Sequence, residues 1–222
     1  MRNLLLSLSL IAVLFGVNGC GGGGGATSGS QVYINGEVLL SGAAYTPIVM
    51  VTNSDSSGSP YAGAAVSING SSLTYNSAYS GYGGPSTAVT PDSNGKFNLT
   101  VTLNGSTYTA SAAAFTTAPS VTFPSPFTAA SANTVAWTAP TGATGAINYF
   151  ISLYSQQSGT PSVYSTTTTS LNNLVPANTT AAGNAYGYIV MAIQSGSPIS
   201  GAASGSAFYS DAEATPQLFT AQ

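Results

Sequence analysis

Phe97-Asn98-Leu99-Thr100-Val101-Thr102-Leu103-Asn104-Gly105-Ser106-Thr107-Tyr108-Thr109 is the stretch that decides the fold class. From Phe97 to Leu103 every second residue is apolar, the period of a strand with one buried face and one solvated face. Asn104-Gly105 follows, and both residues tolerate the positive φ that a two-residue type I′ turn requires. The chain then resumes with β-favouring Thr and Tyr, so the segment reads as an antiparallel hairpin. Outward from it, period-two runs recur at residues 31–40, 48–53, 65–68, 72–75 and 107–113. Asn69-Gly70 joins two of them as a second hairpin turn. Asn35-Gly36 reads either as a turn or as a bend within one long strand. The Asn-Gly pairs recur at near-equal intervals, but their flanks do not match, so they mark no internal repeat. Residues 78–91, rich in Gly, Tyr, Ser and Pro, read as a long loop.

Composition agrees with β-structure and narrows the function. Only 3% of the 222 residues are charged, histidine is absent, and the basic residues are Arg2 and Lys96. An ordinary soluble domain is about 25% charged. Low charge can accompany disorder, but disordered chains lack aromatic and β-branched residues. Thirteen Tyr and eight Phe place this chain among folded all-β proteins instead. A nucleic-acid partner is excluded, because almost no cation is present to neutralise phosphates.

The first 25 residues have a different character. Arg2 precedes an apolar run at residues 4–17, which ends in Val17-Asn18-Gly19-Cys20 and five glycines. A membrane-spanning helix needs about 20 apolar residues for a core of roughly 30 Å, and this run is too short. It suits a secretory leader, which is removed before folding. The arrangement resembles a bacterial lipoprotein signal peptide with its lipobox. That resemblance implies a signal peptide at 1–19, lipidation of Cys20, and membrane attachment through acyl chains that each contribute about 0.8 kcal/mol per buried methylene. By the same resemblance, Gly21 after the cysteine implies sorting to the outer membrane, with the leaflet left open. Residues 20–30, Gly- and Ser-rich, read as a flexible tether.

Prolines 119, 124 and 126 break the pattern beyond Thr116, so two β-sandwich domains are expected, at 31–116 and 117–222. In the first, Asp92-Ser93-Asn94-Gly95-Lys96-Phe97 with alternating Leu99, Val101 and Leu103 resembles bacterial Ig-like and carboxypeptidase-regulatory-like domains. Residues 59–66 resemble an upstream strand of the same families. In the second, Val135-Ala136-Trp137, Tyr149-Phe150-Ile151-Ser152-Leu153-Tyr154, and the alternating Tyr186, Tyr188, Val190 and Ala192 resemble a fibronectin type III domain. The resemblance implies a core Trp137 and a corner tyrosine, either Tyr186 or Tyr188.

Catalytic readings are few. Without histidine or a free cysteine, Ser-His-Asp and Cys-His machinery cannot be built, and no cofactor is expected. Lys96 lies in a turn, where a solvated lysine is the ordinary reading. Asp211 and Glu213 share a strand face at the spacing of about 5–9.5 Å that a glycosidase pair uses, although a solvated strand edge is the ordinary reading of such a pair. Asp55 and Asp92 lie in turns and either offer oxygens to calcium or cap their own backbone. Tyr75, Tyr79 and Tyr82 straddle the Gly-rich tract as a candidate binding loop; most other tyrosines are expected in the core. The expectation is a lipid-anchored, non-enzymatic cell-envelope protein acting as a binding, display or scaffold module, with a protein or glycan partner. The alternatives are a carbohydrate-active enzyme or accessory module using Asp211 and Glu213, and a subunit of an extracellular filament or matrix, whose uncharged copies would pack without repulsion.

Overall fold

A computed structural model describes residues 32–53, 58–157 and 162–222. The 1–19 leader, Cys20, the 20–30 tether and Asp55 lie outside the described residues. Within them the chain is all-β, sixteen strands with no helix. By spatial contacts it forms two compact units. The first comprises the described residues up to Val38, together with Tyr45–Ala112 and Gly196–Tyr209; the second comprises Leu39–Ala44, Ala113–Ser195 and Ser210–Gln222.

The first unit is built from β3 (Ala65–Ile68), β4 (Ser71–Leu73), β5 (Tyr75–Asn76), β6 (Gly81–Gly83) and β7 (Lys96–Leu103), with most of β1 (Val32–Ser41), β2 (Ala44–Asn53) and β8 (Ser106–Ala113). One sheet has the order β4-β3-β7-β8, and another strand path runs β1-β2-β6-β5. The alternation read in β7 is realised residue by residue: Phe97, Leu99, Val101 and Leu103 are buried. Antiparallel register sets Val66 opposite Val101 and Ile68 opposite Leu99. The two layers meet where the Tyr45 ring stands edge-on to Phe97, with centroids 5.1 Å apart. Both hairpins close as the Asn-Gly pairs require, with φ of 48° and 79° at Asn69 and Gly70, and 50° and 78° at Asn104 and Gly105. These are the positive values of a type I′ turn.

Asn35-Gly36 proves to lie within the single strand β1. A Cβ on Gly36 would stand 3.1 Å from the Phe208 ring, so the missing side chain makes room for that aromatic.

The second unit contains β9 (Ser120–Thr122), β10 (Asn133–Thr138), β11 (Asn148–Ser155), β12 (Ser162–Thr168), β13 (Asn172–Val175), β14 (Ala185–Ser195), the end of β15 (Ala207–Glu213) and β16 (Gln217–Thr220). A β13-β10-β9 sheet faces the path β12-β11-β14-β15, with β16 pairing β14. Trp137 of β10 is buried and tilts against Tyr149 of β11, 5.4 Å between centroids. Tyr164 on β12 donates its hydroxyl to Asn173 Oδ1 at 3.2 Å, a further tie across the sandwich. The two tyrosines of β14 divide the work. Tyr188 is fully buried, and its hydroxyl accepts from Asn173 Nδ2 at 3.4 Å. Tyr186 accepts from the backbone N–H of Ala181 at 2.8 Å, so Tyr186 is the one that ties the chain back on itself.

Two expectations need correction. The 78–91 tract is not one long loop: it contains β6, which pairs with β2 through Ile48↔Gly83 and Val49↔Tyr82. Asp211 and Glu213 are not a solvated edge; both are buried in β15, 2% and 8% exposed.

Candidate binding cleft

The Gly-rich tract builds a cleft at the sheet end of the first unit. Tyr75↔Tyr82 and Asn76↔Gly81 pair β5 with β6, leaving residues 77–80 as a four-residue hairpin loop. The loop is stitched by its own backbone, Tyr79 N–H to Asn76 O at 3.2 Å and Ser80 N–H to Ser77 O at 3.3 Å. Asn76 Oδ1 adds a bond from the Ala78 N–H at 3.0 Å, the side-chain mimicry of a turn that Asn favours. After β6 the chain turns again. Gly84 N–H donates to Pro47 O at 2.8 Å and Thr87 N–H to Gly84 O at 2.9 Å. Gly83 has φ +91°, and a Cβ there would collide with Pro47 O, so only glycine lets the strand lie this close.

Between these two turns lies an open cleft of about 330 Å³. It is lined by Thr74, Tyr75, Asn76, Ser77 and Tyr79 and by the 83–87 turn, Gly83-Gly84-Pro85-Ser86-Thr87. No Asp, Glu, Lys or Arg lines it. Both cleft tyrosines are half-buried and packed: Tyr75 stands edge-on against Tyr82 at 5.3 Å, and Tyr79 lies over Gly84.

The three tyrosines singled out from the sequence therefore have different places. Tyr75 and Tyr79 line the cleft. Tyr82 is 2% exposed and faces inward, because a strand alternates its side chains and its neighbours on β6 are glycines. Its hydroxyl donates to Tyr61 O at 2.6 Å and accepts from Ala64 N–H at 2.8 Å, and burial raises its pKa. Tyr82→Phe takes the side-chain partner from two half-buried backbone groups, Ala64 N–H and Tyr61 O. A loss of about 0.5–1.5 kcal/mol is expected, read as a lower urea midpoint; an unchanged midpoint would show that water replaces the hydroxyl.

The remaining candidates fall away from this cleft. Asp92 caps its own turn: Oδ1 accepts from the N–H groups of Asn94 and Lys96, each at 2.9 Å, and Oδ2 from Asn98 Nδ2 at 2.8 Å. The Lys96 backbone bond leads in holding its carboxyl below the usual range. Lys96 itself is exposed at the start of β7. Among the described residues no group of three or more His, Cys, Asp or Glu is placed to hold a metal ion.

One group escapes a sequence search. Glu37 is 2% exposed in β1, and its Oε1 has no hydrogen-bond partner among the described residues. Burial raises its pKa from 4.5 to about 8. Asn35, two residues earlier and so on the same strand face, has an equally unpartnered Oδ1. The available signal was an acid inside a mostly apolar run, Val32 to Leu40, and it is ambiguous because edge strands carry acids too.

The chain matches no protein-family model and no curated protein.

Proposed function

We propose that this chain is a lipid-anchored, non-enzymatic protein of the cell envelope that displays a binding site on β-sandwich modules. The cleft between the 77–80 loop and the 84–87 turn carries the binding half of the reading. It is concave, open, and lined by two braced tyrosines, Tyr75 on β5 and Tyr79 on the hairpin loop that β5 and β6 hold, the setting in which recognition residues are usually found. The lipobox and glycine tether support the anchor, which would hold the module at the outer membrane. Burial of Asp211 and Glu213 favours binding over glycoside hydrolysis, since a carboxylate pair must reach the scissile bond. Trp137 in the core and Tyr186 tying back to Ala181 favour a fibronectin type III-like second module, behind an Ig-like first one.

The anchor is tested by Cys20→Ser. The variant is expected to lose incorporation of a radiolabelled fatty acid and to leave the membrane fraction as uncleaved or soluble protein. Continued labelling would refute the assignment. The binding half is tested by recovering envelope components on the wild-type chain and on Tyr79→Ala. At least one component should be retained by the first and lost from the second.

A further inference from the structure

We propose that the ligand of the Tyr75–Tyr79 cleft is a neutral sugar, one or two pyranose rings at the end of a glycan. The inference rests on the binding role proposed above and names the ligand class. Three properties of the walls lead to it.

The first is charge. No Asp, Glu, Lys or Arg lines the cleft, so a phosphate, carboxylate or ammonium entering it would lose hydration with no counter-charge in return. The ligand is neutral.

The second is the pairing of rings with small polar groups. A pyranose presents C–H bonds on its faces and hydroxyls around its rim. Tyrosine rings match the former, and the Asn76, Ser77 and Ser86 side chains with the polar backbone of the turn match the latter, so the exposed lining is mostly polar, as a hydroxyl-rich ligand requires. Asn76 Oδ1 is engaged by Ala78 N–H, which sets the amide so that Nδ2 remains for a ligand oxygen.

The third is rigidity and size. A Cβ on Gly84 would stand 3.1 Å from Tyr79 Cε2, so the ring rests directly on the glycine backbone. With Tyr75 braced by Tyr82, little side-chain freedom is lost on binding, which raises affinity for a small ligand. The volume of about 330 Å³ lies at the small end of ligand sites, about 300–1,000 Å³, and suits a sugar unit.

The test uses the purified full-length chain in neutral detergent, titrated with cellobiose, maltose, lactose and N,N′-diacetylchitobiose, and with digalacturonate as the acidic counterpart. Saturation-transfer NMR and calorimetry report binding. At least one neutral disaccharide is expected to bind, digalacturonate at least tenfold more weakly. Tyr79→Ala should weaken the neutral ligand at least tenfold with an unchanged melting curve, while Tyr79→Phe, which keeps the ring, stays within about threefold of wild type. Asn76→Ala gives a second variant, which removes the amide offered to a sugar hydroxyl. Binding of none of the four neutral sugars overturns the proposal, as does binding that survives both Tyr79→Ala and Asn76→Ala, or preference for digalacturonate. If no sugar binds while an envelope protein is still retained through Tyr79, the sugar assignment fails and the binding role stands. If nothing is retained and no sugar binds, both fail.

Discussion

Trp137→Ala is expected to destabilise the second unit by about 3–5 kcal/mol, the range for truncating a large aromatic in a packed core. Trp137 is 4% exposed, lies against Tyr149, and its backbone N–H bonds Leu171 O at 2.9 Å. The truncation removes the ring that fills the space between β10 and β11, and the surrounding strands cannot close it without giving up their ladder bonds. Such a loss is a large share of the 5–15 kcal/mol by which an ordinary domain is stable. Urea denaturation followed by far-UV circular dichroism measures it. A midpoint equal to wild type would show that the ring packs too loosely to matter. Trp137 Nε1 has no hydrogen-bond partner among the described residues. Trp137→Phe, which discards that N–H and keeps most of the ring, should therefore cost clearly less than the alanine.

Stability should fall as pH rises from about 5 to 8, and Glu37→Gln should flatten that fall. The pKa of Glu37 is raised by burial to about 8 from 4.5. Between those values the folded chain keeps a proton that the unfolded chain has released. Stability therefore declines with pH, by up to about 1.4 kcal/mol per pH unit, and levels off above the folded value. This is the reverse of the usual carboxylate, whose folded pKa is lowered. Asp92 is of that usual kind, with stability lost only as pH falls through its lowered pKa. The two effects thus occupy different pH windows. Urea midpoints at pH 5 and pH 8 for wild type and Glu37→Gln isolate the buried acid. Equal pH dependence in both would mean that Glu37 reaches solvent in the folded state.

The strands legible in the sequence were those whose burial is one-sided. In β7 and β3 a solvated face keeps its Thr and Ser, so the period of two survives in the letters. The two Asn-Gly turns were legible for a local reason: their backbone demands positive φ whatever surrounds them. β1 was legible as a strand but not as one buried on both faces, which is what turns Glu37 from a surface acid into a proton-holding group. β6 was hidden because Gly-Tyr-Gly has the composition of a loop; only pairing with β2 and β5 makes it a strand. β12, a run of Ser and Thr with little apolar content, was hidden for a similar reason.

The cleft was half legible. Tyr75, Tyr79 and Tyr82 stood out in the sequence by the glycines around them, but composition cannot assign a ring to a wall or to a core. Alternation along β6 and the bonds from Tyr82 to Tyr61 and Ala64 made that assignment.

What the sequence determined by itself is the all-β class, the two hairpin turns, and the absence of histidine from any site. All of these follow from local backbone preference or from composition. What only the tertiary structure decided is which faces are buried: Tyr82 inward and Tyr79 outward, Glu37, Asp211 and Glu213 out of water, and Tyr186 rather than Tyr188 bonding back to the chain. Burial depends on partners far away in sequence, and a periodic pattern says that a strand has two faces without saying what covers them.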